Sequence, residues 1–320
     1  MNRESQETPV RVGDDAVTRC GLVVADDALG LVGNTPLVRL GGLGAANAEI
    51  WAKAEFMNPA GSVKDRTALA MIVEAERAGL LRPGATVIEA TSGNTGISLA
   101  MICAVRRYRC VLVMPQDMSM ERRLVLKAYG AEVQLTGPEH GMMGAVQRAN
   151  ALRAEIAGAF TPSQFENTAN PRVHEEMTAR EILEQTGGRV SAFVAGVGTG
   201  GTVTGVGRAL KRVLGPQVQV VGVEPAGSPV LSGGTPGNHG IPGLGAGFVP
   251  AILDNAVLDQ IVRVHDVTAQ KMAERLAREY GLLVGVSSGA NVAAAADVSN
   301  RVGKGLVVTV LCDSGERYLF

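Results

Sequence analysis

The stretch T86-V-I-E-A-T-S-G-N-T-G-I-S-L-A-M-I-C-A-V105 contains the unit from which this chain is built. Residues 86–90 form a short apolar run bounded by turn residues, which is typical of a buried strand. Residues 91–96 are small and polar, as in a turn, and from Ile97 onward apolar residues recur at helical spacing. A strand, a turn and a helix in this order predict one half of a β–α–β unit.

The same order is repeated on both sides of this stretch. Further strands are predicted at residues 51–56, 109–114, 131–136, 191–195, 218–223 and 305–311. Helices are predicted from Lys64 onward, at 120–129, 141–157, 172–186, 202–213 and 268–280, and after residue 290. This alternation predicts an α/β protein with parallel sheets and helices on both faces. Ligands of such folds bind at the carboxyl ends of the strands, where loops 91–96, 196–202 and 285–289 are all predicted to lie.

Composition narrows the class of protein. With 320 residues, of which 46% are hydrophobic and 19% charged, the chain can form two domains with full cores. A net charge of -1 and an aromatic content of 3% argue against a nucleic-acid-binding surface. No apolar run approaches the roughly 20 residues of a membrane span, and the N-terminal residues lack a signal-peptide core. We therefore expect a cytoplasmic protein without a membrane-bound segment.

The four cysteines, Cys20, Cys103, Cys110 and Cys312, show no metal-binding or disulfide-framework spacing, so no metal site is expected. Cys103 and Cys110 lie in apolar runs and are predicted to be small core residues. Residues 1 to about 25 have no sustained periodicity and are predicted to form a mobile arm. The glycine- and proline-rich residues 225–250 are predicted to form a long functional loop.

The stretch N58-P-A-G-S-V-K-D-R66 places a lysine where a helix begins. Ser62 and Asp65 have the spacing of a capping box, which predicts a helix start here. Lys64 then faces the positive end of the helix dipole, at a cost of up to about 1 kcal/mol. Either the lysine is solvated and tolerates this cost, or its amine is kept neutral or is bound covalently as a Schiff base.

A glycine loop raises a second pair of alternatives. Gly196, Gly198 and Gly201 follow a predicted strand, and Glu224 ends the next strand, a spacing typical of dinucleotide-binding dehydrogenases. Yet residues 198–202 offer successive backbone N–H groups and two threonine hydroxyls at a helix N-terminus, which suits a terminal phosphate. The turn at residues 91–95 is either an anion site suited to a carboxylate or an ordinary capped turn.

A helix-start lysine, a loop for one phosphate and a loop for a carboxylate together point to pyridoxal 5′-phosphate and an amino-acid substrate. The chain resembles the cysteine synthase (O-acetylserine sulfhydrylase) and cystathionine β-synthase family of fold type II pyridoxal-phosphate enzymes from about residue 29 to its last residues. The matching motifs are N58-P-A-G-S-V-K-D-R, E89-A-T-S-G-N-T-G, Q164-F-E-N-T-A-N-P, G198-T-G-G-T, V284-G-V-S-S-G-A, Pro36 with the following L-V-R-L, M118-S-M-E-R-R, G245-A-G-F-V-P and D313-S-G-E-R-Y-L.

The resemblance implies a role for each matching residue. Lys64 would be the Schiff-base lysine and later the base. The phosphate would be bound by Gly198, Thr199, Gly200, Gly201 and Thr202. Asn94 would contact the pyridoxal 3′-oxygen and Ser287 the pyridine nitrogen, which a neutral hydroxyl leaves largely unprotonated. The substrate carboxylate would be bound by Thr91, Ser92, Gly93, Asn94, Thr95 and Gln164.

The resemblance also implies an architecture and a reaction. The fold would be that of tryptophan synthase β-like enzymes, with two doubly wound domains: residues 29–58 and 164–320 in the larger, phosphate-binding one and residues 59–163 in a smaller, mobile one. Residues 1–28 would be the arm. The amino acid would displace Lys64, lose its Cα proton and β-substituent to give an α-aminoacrylate, and add sulfide to form L-cysteine. A homodimer is implied, and a serine acetyltransferase is a possible partner.

The motifs leave the sulfur donor open. N58-P-A-G-S-V-K-D-R and Cys312 are closer to the thiosulfate-using branch, whereas residues 196–202 and 243–250 are closer to the sulfide-using branch. Residues 178–183 resemble cystathionine β-synthase. Residues 239–248 contain no arginine or lysine, which disfavours O-phosphoserine and leaves O-acetylserine with sulfide as the expected pair. An alternative of another class is a pyridoxal-phosphate-binding scaffold without turnover.

Overall fold

The computed structural model describes residues 17–19, 22–91, 93–116 and 119–319. The strands within these ranges are β1 (Val17–Arg19), β2 (Leu22–Val24), β3 (Leu37–Arg39), β4 (Asn47–Ala54), β5 (Thr86–Ala90), β6 (Arg109–Pro115), β7 (Glu132–Thr136), β8 (Ala192–Gly196), β9 (Gln219–Pro225), β10 (Gln260–Val264) and β11 (Lys304–Leu311). The helices are α1 (Lys64–Arg77), α2 (Asn94–Arg106), α3 (Met120–Ala128), α4 (Gly141–Glu155), α5 (Ala169–Val173), α6 (Ala179–Thr186), α7 (Gly201–Leu214), α8 (Asp266–Tyr280) and α9 (Val286–Val302). A π-helical turn, His174–Thr178, joins α5 to α6.

The larger sheet has six strands in the order β10-β9-β8-β11-β4-β3. All neighbours in it are parallel except β3, which runs antiparallel to β4 at one edge. Its central strands are continuous apolar runs because helices cover both faces. On one face α8 and α9 pack with residues such as Leu276 and Val298, and on the other α6 and α7 pack with residues such as Ile182 and Leu210.

The smaller sheet has three parallel strands in the order β5-β6-β7. Helices α1 and α2 cover one face, where Ile72 and Leu99 are fully buried, and α4 covers the other with residues such as Ala145. Cys103 and Cys110 lie in the first of these cores, so their prediction as small core residues is confirmed. The predicted α/β class with mainly parallel sheets is also confirmed.

Several elements differ from their prediction. Helix α9 begins at Val286, so most of the predicted loop 285–289 is its first turn, with Gly285 as the N-cap. The predicted helix at 172–186 extends from Ala169 to Thr186 but is interrupted by the π-helical turn. Strands β3 and β10 were not predicted. Part of the predicted arm forms the antiparallel β1–β2 pair, whereas residues 1–16, 20 and 21 lie outside the described residues.

Residues 226–254 contain no helix or strand, in agreement with the predicted long loop. Pro242, Gly243 and Leu244 of this loop line the cleft described below. Among the described residues, no helix combines the length and the apolar content needed to cross a bilayer.

Candidate active site

A cleft at the carboxyl ends of β8 and β11 brings together most of the predicted site residues. Seven of them line it: Lys64, Asn94, Gly198, Thr199, Gly200, Thr202 and Ser287. Cys312, Asp313 and Asn291, to which sequence reasoning gave no role beyond a branch resemblance for Cys312, line it as well. The residues come from α1, α2, α7, α9 and the segment after β11, so the cleft depends on the fold as a whole.

Lys64 is the first residue of α1, as predicted, but the predicted capping box is wrong in its bonding. Ser62 Oγ accepts from the Lys64 backbone N–H at 3.2 Å. Asp65 reaches past Ser62, and its Oδ2 accepts from the Ala60 N–H at 2.7 Å. The turn is thus tightened around residues 60–65 rather than closed by a reciprocal pair.

Lys64 is half-buried and its side chain lines the cleft, so it is not the solvated surface lysine of the first alternative. Burial lowers its pKa below the ordinary value, and the nearby Asp313 opposes this shift. A lowered pKa favours the neutral amine, which can act as a nucleophile or a base.

A buried ion-pair network connects the start of α1 to the larger sheet. The Arg66 guanidinium donates to both oxygens of Glu55 at 2.8 and 2.9 Å and to both oxygens of Glu181 at 2.6 and 2.7 Å. Lys53 Nζ completes the set, 2.6 Å from Glu181 Oε2. Burial alone would raise the pKa of Glu55, but the charge of Arg66 and its hydrogen bonds lower it to about 2. Two positive and two negative side chains therefore balance each other out of contact with water.

The loop at residues 198–202 is shaped by close backbone approaches. An added Cβ at Gly198 would lie 2.2 Å from the Gly243 carbonyl oxygen, and one at Gly201 would lie 1.9 Å from Asn170 Oδ1. Gly200 has a φ of +83° and forms the N-cap of α7. Glycine is therefore required at these positions, and the loop they form lies at a helix N-terminus, which suits a phosphate.

Behind this loop lies a group of buried polar residues that sequence reasoning did not assign. Asn170 Nδ2 donates to the Gln164 carbonyl oxygen at 2.9 Å and to Thr199 Oγ1 at 3.0 Å. His174 Nε2 lies 3.2 Å from Thr202 Oγ1 and 3.3 Å from Thr67 Oγ1. A π-helical turn at His174, a feature frequent at functional sites, is a signal that only the structure provides.

The second predicted loop, at residues 91–95, is held by one hydrogen bond within it and by one to Gln164. Thr95 Oγ1 donates to Gln164 Oε1 at 2.7 Å, and both residues are buried. Thr91 Oγ1 accepts from the Gly93 N–H at 3.2 Å. Helix α2 begins at Asn94, three residues earlier than predicted. Ser92 lies outside the described residues.

Asn94 is oriented by a segment that follows β11. Its Nδ2 donates to Asp313 Oδ2 at 2.6 Å, and its Oδ1 accepts from Arg317 at 2.5 Å. Tyr318 also donates to Asp313, and Arg317 donates to the Ala60 carbonyl. Because arginine can only donate, the Asn94 atom that faces Arg317 is the amide oxygen, and the amide has a single orientation.

Ser287 lies in the first turn of α9, beside the segment after β11. Its neighbour Ser288 accepts from the Cys312 backbone N–H at 2.8 Å. Asn291 Nδ2 donates to the Val310 carbonyl at 2.9 Å and to Cys312 Sγ at 3.3 Å. Burial raises the pKa of Cys312 to about 12, so this cysteine is a neutral thiol at pH 7.

Glu224, the residue that favoured a dinucleotide site, has a structural role. It is buried at the end of β9, and its carboxylate accepts from the backbone N–H groups of Leu231 and Ser232 at 2.8 and 3.1 Å. A carboxylate used in this way organises the long loop and is not available to bind a ribose hydroxyl. The dehydrogenase interpretation is therefore abandoned.

Glu89, one residue before the end of β5, predicts a pH effect on stability. Burial raises its pKa to about 7, with partial opposition from the Ser163 N–H that donates to Oε2. Because this value is above the ordinary 4.5, the stability that Glu89 contributes is complete below about pH 4.5 and is lost as pH rises through 7. We expect Glu89→Gln to reduce the loss of unfolding free energy between pH 5 and 8 by on the order of 3 kcal/mol.

Urea unfolding of both proteins at several pH values, with excess pyridoxal 5′-phosphate, measures this difference. Asp65, whose pKa burial raises to about 6, contributes equally in both proteins and cancels. The matched control is Glu132→Gln, since Glu132 lies at the surface in a pair with Arg109. Parallel stability curves for the wild type and Glu89→Gln would contradict the prediction.

The sequence and the fold of this chain are similar to those of known proteins. Residues 28–313 match the family described as pyridoxal-phosphate dependent enzyme. A cysteine synthase of Staphylococcus aureus is 51% identical over 92% of this chain and 95% of its own length. A probable cysteine synthase of Bacillus subtilis is 51% identical over 93% and 96%. The crystal structure of cysteine synthase from Entamoeba histolytica has a TM-score of 0.90 at 38% identity and covers 95% of this chain and 91% of its own.

The residues of the cleft fit pyridoxal 5′-phosphate. A lysine amine with a lowered pKa can react with an aldehyde, and a glycine loop at a helix N-terminus can bind a phosphate. Asn291 Oδ1 is a buried acceptor without a hydrogen-bond partner in the part of the chain that the structure describes. Such an atom on the cleft wall needs a donor from a bound molecule or from water. Within the same described ranges, no cluster of histidine, cysteine, aspartate and glutamate could hold a metal ion.

Proposed function

The chain belongs to the family of pyridoxal-phosphate dependent enzymes, and from this premise we propose that it forms L-cysteine from O-acetyl-L-serine and sulfide. The observation that carries the proposal is the Lys64 side chain, whose amine has a lowered pKa and which shares one cleft with the 198–202 loop and Asn94. The similarity to two curated cysteine synthases along nearly the whole chain supports the same reaction.

Each part of the cleft has one task in this proposal. The backbone N–H groups and threonine hydroxyls of residues 198–202 bind the cofactor phosphate. Asn94, fixed by Asp313 and Arg317, and the neutral hydroxyl of Ser287 orient the cofactor ring. The bound cofactor supplies an electron-withdrawing ring that stabilises negative charge at the amino-acid α-carbon. The Lys64 amine, whose pKa is lowered by its partial burial in the cleft, is the attachment point of the cofactor and accepts the α-proton of the substrate.

The substrate carboxylate is bound by the loop that begins α2. Its backbone N–H groups lie at a helix N-terminus, and Thr91, Ser92 and Thr95 add hydroxyls. Gln164 contacts Thr95 directly, so the amide and the hydroxyl act together. These groups are small and neutral and position the β-substituent without giving it a charged partner.

The assembly of the protein is part of the same proposal. We take residues 29–58 and 164–320 as the larger domain and residues 59–163 as a smaller domain that moves when substrate binds. The chain forms a homodimer, with a serine acetyltransferase as candidate partner, and sedimentation with and without such an enzyme tests both. A cytoplasmic location is part of the same proposal, in which Cys103 and Cys110 are free, buried thiols.

Substrate choice gives the most direct test. We expect O-acetylserine to exceed O-phosphoserine roughly ten- to a hundredfold in kcat/KM, because a phosphate dianion loses hydration and gains no charged partner from residues 239–248. The measurement is a matrix of O-acetylserine, O-phosphoserine and serine against sulfide, thiosulfate and homocysteine.

Two arginines outside residues 239–248 could interact with a phosphorylated substrate if O-phosphoserine proved to be the better one. Arg317 donates to Asn94 and to the Ala60 carbonyl, and the Arg122 guanidinium lies 5.5 Å from the centre of the Tyr318 ring. Both have partners in this structure. Faster turnover of O-phosphoserine would contradict the charge argument and would assign one of these arginines to the leaving group. If the protein turned over none of the substrates O-acetylserine, O-phosphoserine and serine, a scaffold without catalysis would be favoured.

A further inference from the structure

The buried polar residues behind the 198–202 loop allow their proton positions to be worked out one after another. The first is fixed by a backbone carbonyl, which can only accept. Because Asn170 contacts the Gln164 carbonyl oxygen at 2.9 Å, the atom facing it is the amide nitrogen, and Asn170 Oδ1 faces the other way as an acceptor.

The position of the Thr67 hydroxyl proton follows from that of Asn170 Oδ1. Thr67 Oγ1 lies 3.4 Å from Asn170 Oδ1, and since that oxygen only accepts, Thr67 donates its single hydroxyl proton there. Thr67 also lies 3.3 Å from His174 Nε2. Having no second proton, Thr67 must accept from the ring. His174 Nε2 therefore carries a proton.

The His174 ring is neutral, and this fixes the role of its second nitrogen. The ring is buried, and burial lowers its pKa to about 3, assisted by Arg66 and Lys64 and opposed by Glu55. A neutral imidazole has one N–H, so Nδ1 is bare and accepts from Thr178 Oγ1 at 3.0 Å. The π-helical turn places these two side chains together.

These proton positions determine which hydrogen bonds the Thr202 and Thr199 hydroxyls can make in the cleft. Thr202 Oγ1, 3.2 Å from His174 Nε2, shares the single ring N–H with Thr67 as its second acceptor and keeps its own proton for the cleft. Thr199 Oγ1 accepts from Asn170 Nδ2 at 3.0 Å and from the Gly201 N–H at 3.4 Å, which occupies both of its lone pairs. Its proton can only point away from these donors.

We propose that this buried chain of hydrogen bonds presets the Thr199 and Thr202 hydroxyls as donors toward the cleft. The loop then binds a phosphate as an unprotonated group that offers acceptors only. Asn170 and His174 are positioning residues, which act on the phosphate through the two threonines. The inference rests on the proposed function only in taking residues 198–202 as the phosphate-binding loop.

The histidine tautomer is the first readout, and it does not require turnover. The chain has four histidines, so a ¹⁵N-histidine-labelled holoenzyme gives a simple spectrum, and the signals that His174→Gln removes are those of His174. We expect the neutral Nε2–H form, unchanged between about pH 6 and 9. An Nδ1–H tautomer or a titrating ring would overturn the proposal. An inactive enzyme with the Nε2–H form would refute the proposed function alone.

Cofactor affinity is the second readout. His174→Leu removes the donor and is expected to raise the Kd of the apoenzyme for pyridoxal 5′-phosphate roughly ten- to a hundredfold, as expected for a hydrogen bond to a charged group. His174→Gln keeps an N–H near the Nε2 position and is expected to recover most of the affinity. The ³¹P signal of the bound cofactor should be independent of pH in the wild type and should titrate in the leucine variant.

Equal affinities for the leucine and glutamine variants would refute the role of the His174 proton. The exposed His140 gives the matched control, His140→Leu, for which no change in Kd is expected. If His174→Leu does not fold, Thr202→Val and Thr202→Ser replace the pair. Serine retains the hydroxyl, so valine alone should weaken cofactor binding, and equal binding by both would overturn the proposal.

Discussion

Lys64→Ala should lower kcat by at least about a thousandfold and abolish the borohydride-reducible bond between cofactor and protein. In the proposed function the variant loses both the attachment point and the base, and a base alone is typically worth two to four orders of magnitude. Peptide mapping after borohydride reduction locates the cofactor in the wild type, and stopped-flow assays measure the residual turnover. The loop at residues 198–202 is intact in the variant, so pyridoxal 5′-phosphate should still bind reversibly.

Lys127→Ala is the matched control, since Lys127 is an exposed lysine of α3 that lies outside the cleft. It should retain full activity and the reducible bond. Mapping of the cofactor to a peptide without Lys64 would contradict the assignment.

Arg66→Ala should cause the largest loss of stability, about 3 to 5 kcal/mol, because it leaves Glu55 and Glu181 buried with only Lys53 to balance them. Urea unfolding at pH 7.5 with excess cofactor measures this loss as a shift of the transition midpoint. Since Arg66 lies two residues after Lys64, the same variant should also bind the cofactor more weakly.

The surface pair Arg109–Glu132 provides the comparison. Its bonds, 2.7 and 2.8 Å, are as short as those of Arg66, but both side chains are about half exposed. Arg109→Ala should therefore cost no more than about 1 kcal/mol. Equal losses for Arg66→Ala and Arg109→Ala would show that burial of the network does not set its contribution.

The parts of the fold that the sequence predicts are those carried by local pattern. Strand β5, its turn and helix α2 can be identified because apolar periodicity and small polar residues act over a few positions. The start of α9 cannot be located from the sequence, because Val286, Ser287 and Ser288 are compatible with either a loop or a first helical turn. Strand β10 is only five residues long at a sheet edge, where half-exposed residues give a weak signal.

The site was predictable where a residue type carries its own chemistry, as in Lys64 and the glycine loop. Its supporting residues were not, because they act through distant pairings. Asn94 is oriented by Asp313, 219 residues later, and Arg66 by Glu181, 115 residues later. His174 is one of four scattered histidines, and only its contacts with Thr67 and Thr202 distinguish it.

The position of β11 in the larger sheet determines when the cleft can form during synthesis. This strand pairs with β4 on one side and β8 on the other, yet it follows both in the chain by more than a hundred residues. Until β11 has been synthesised, β4 and β8 of the nascent chain therefore have unpaired edges, and Asn94 lacks its partner Asp313. We therefore expect cofactor capture to be a late event, and until β11 is in place the unpaired edges are open to pairing with other chains.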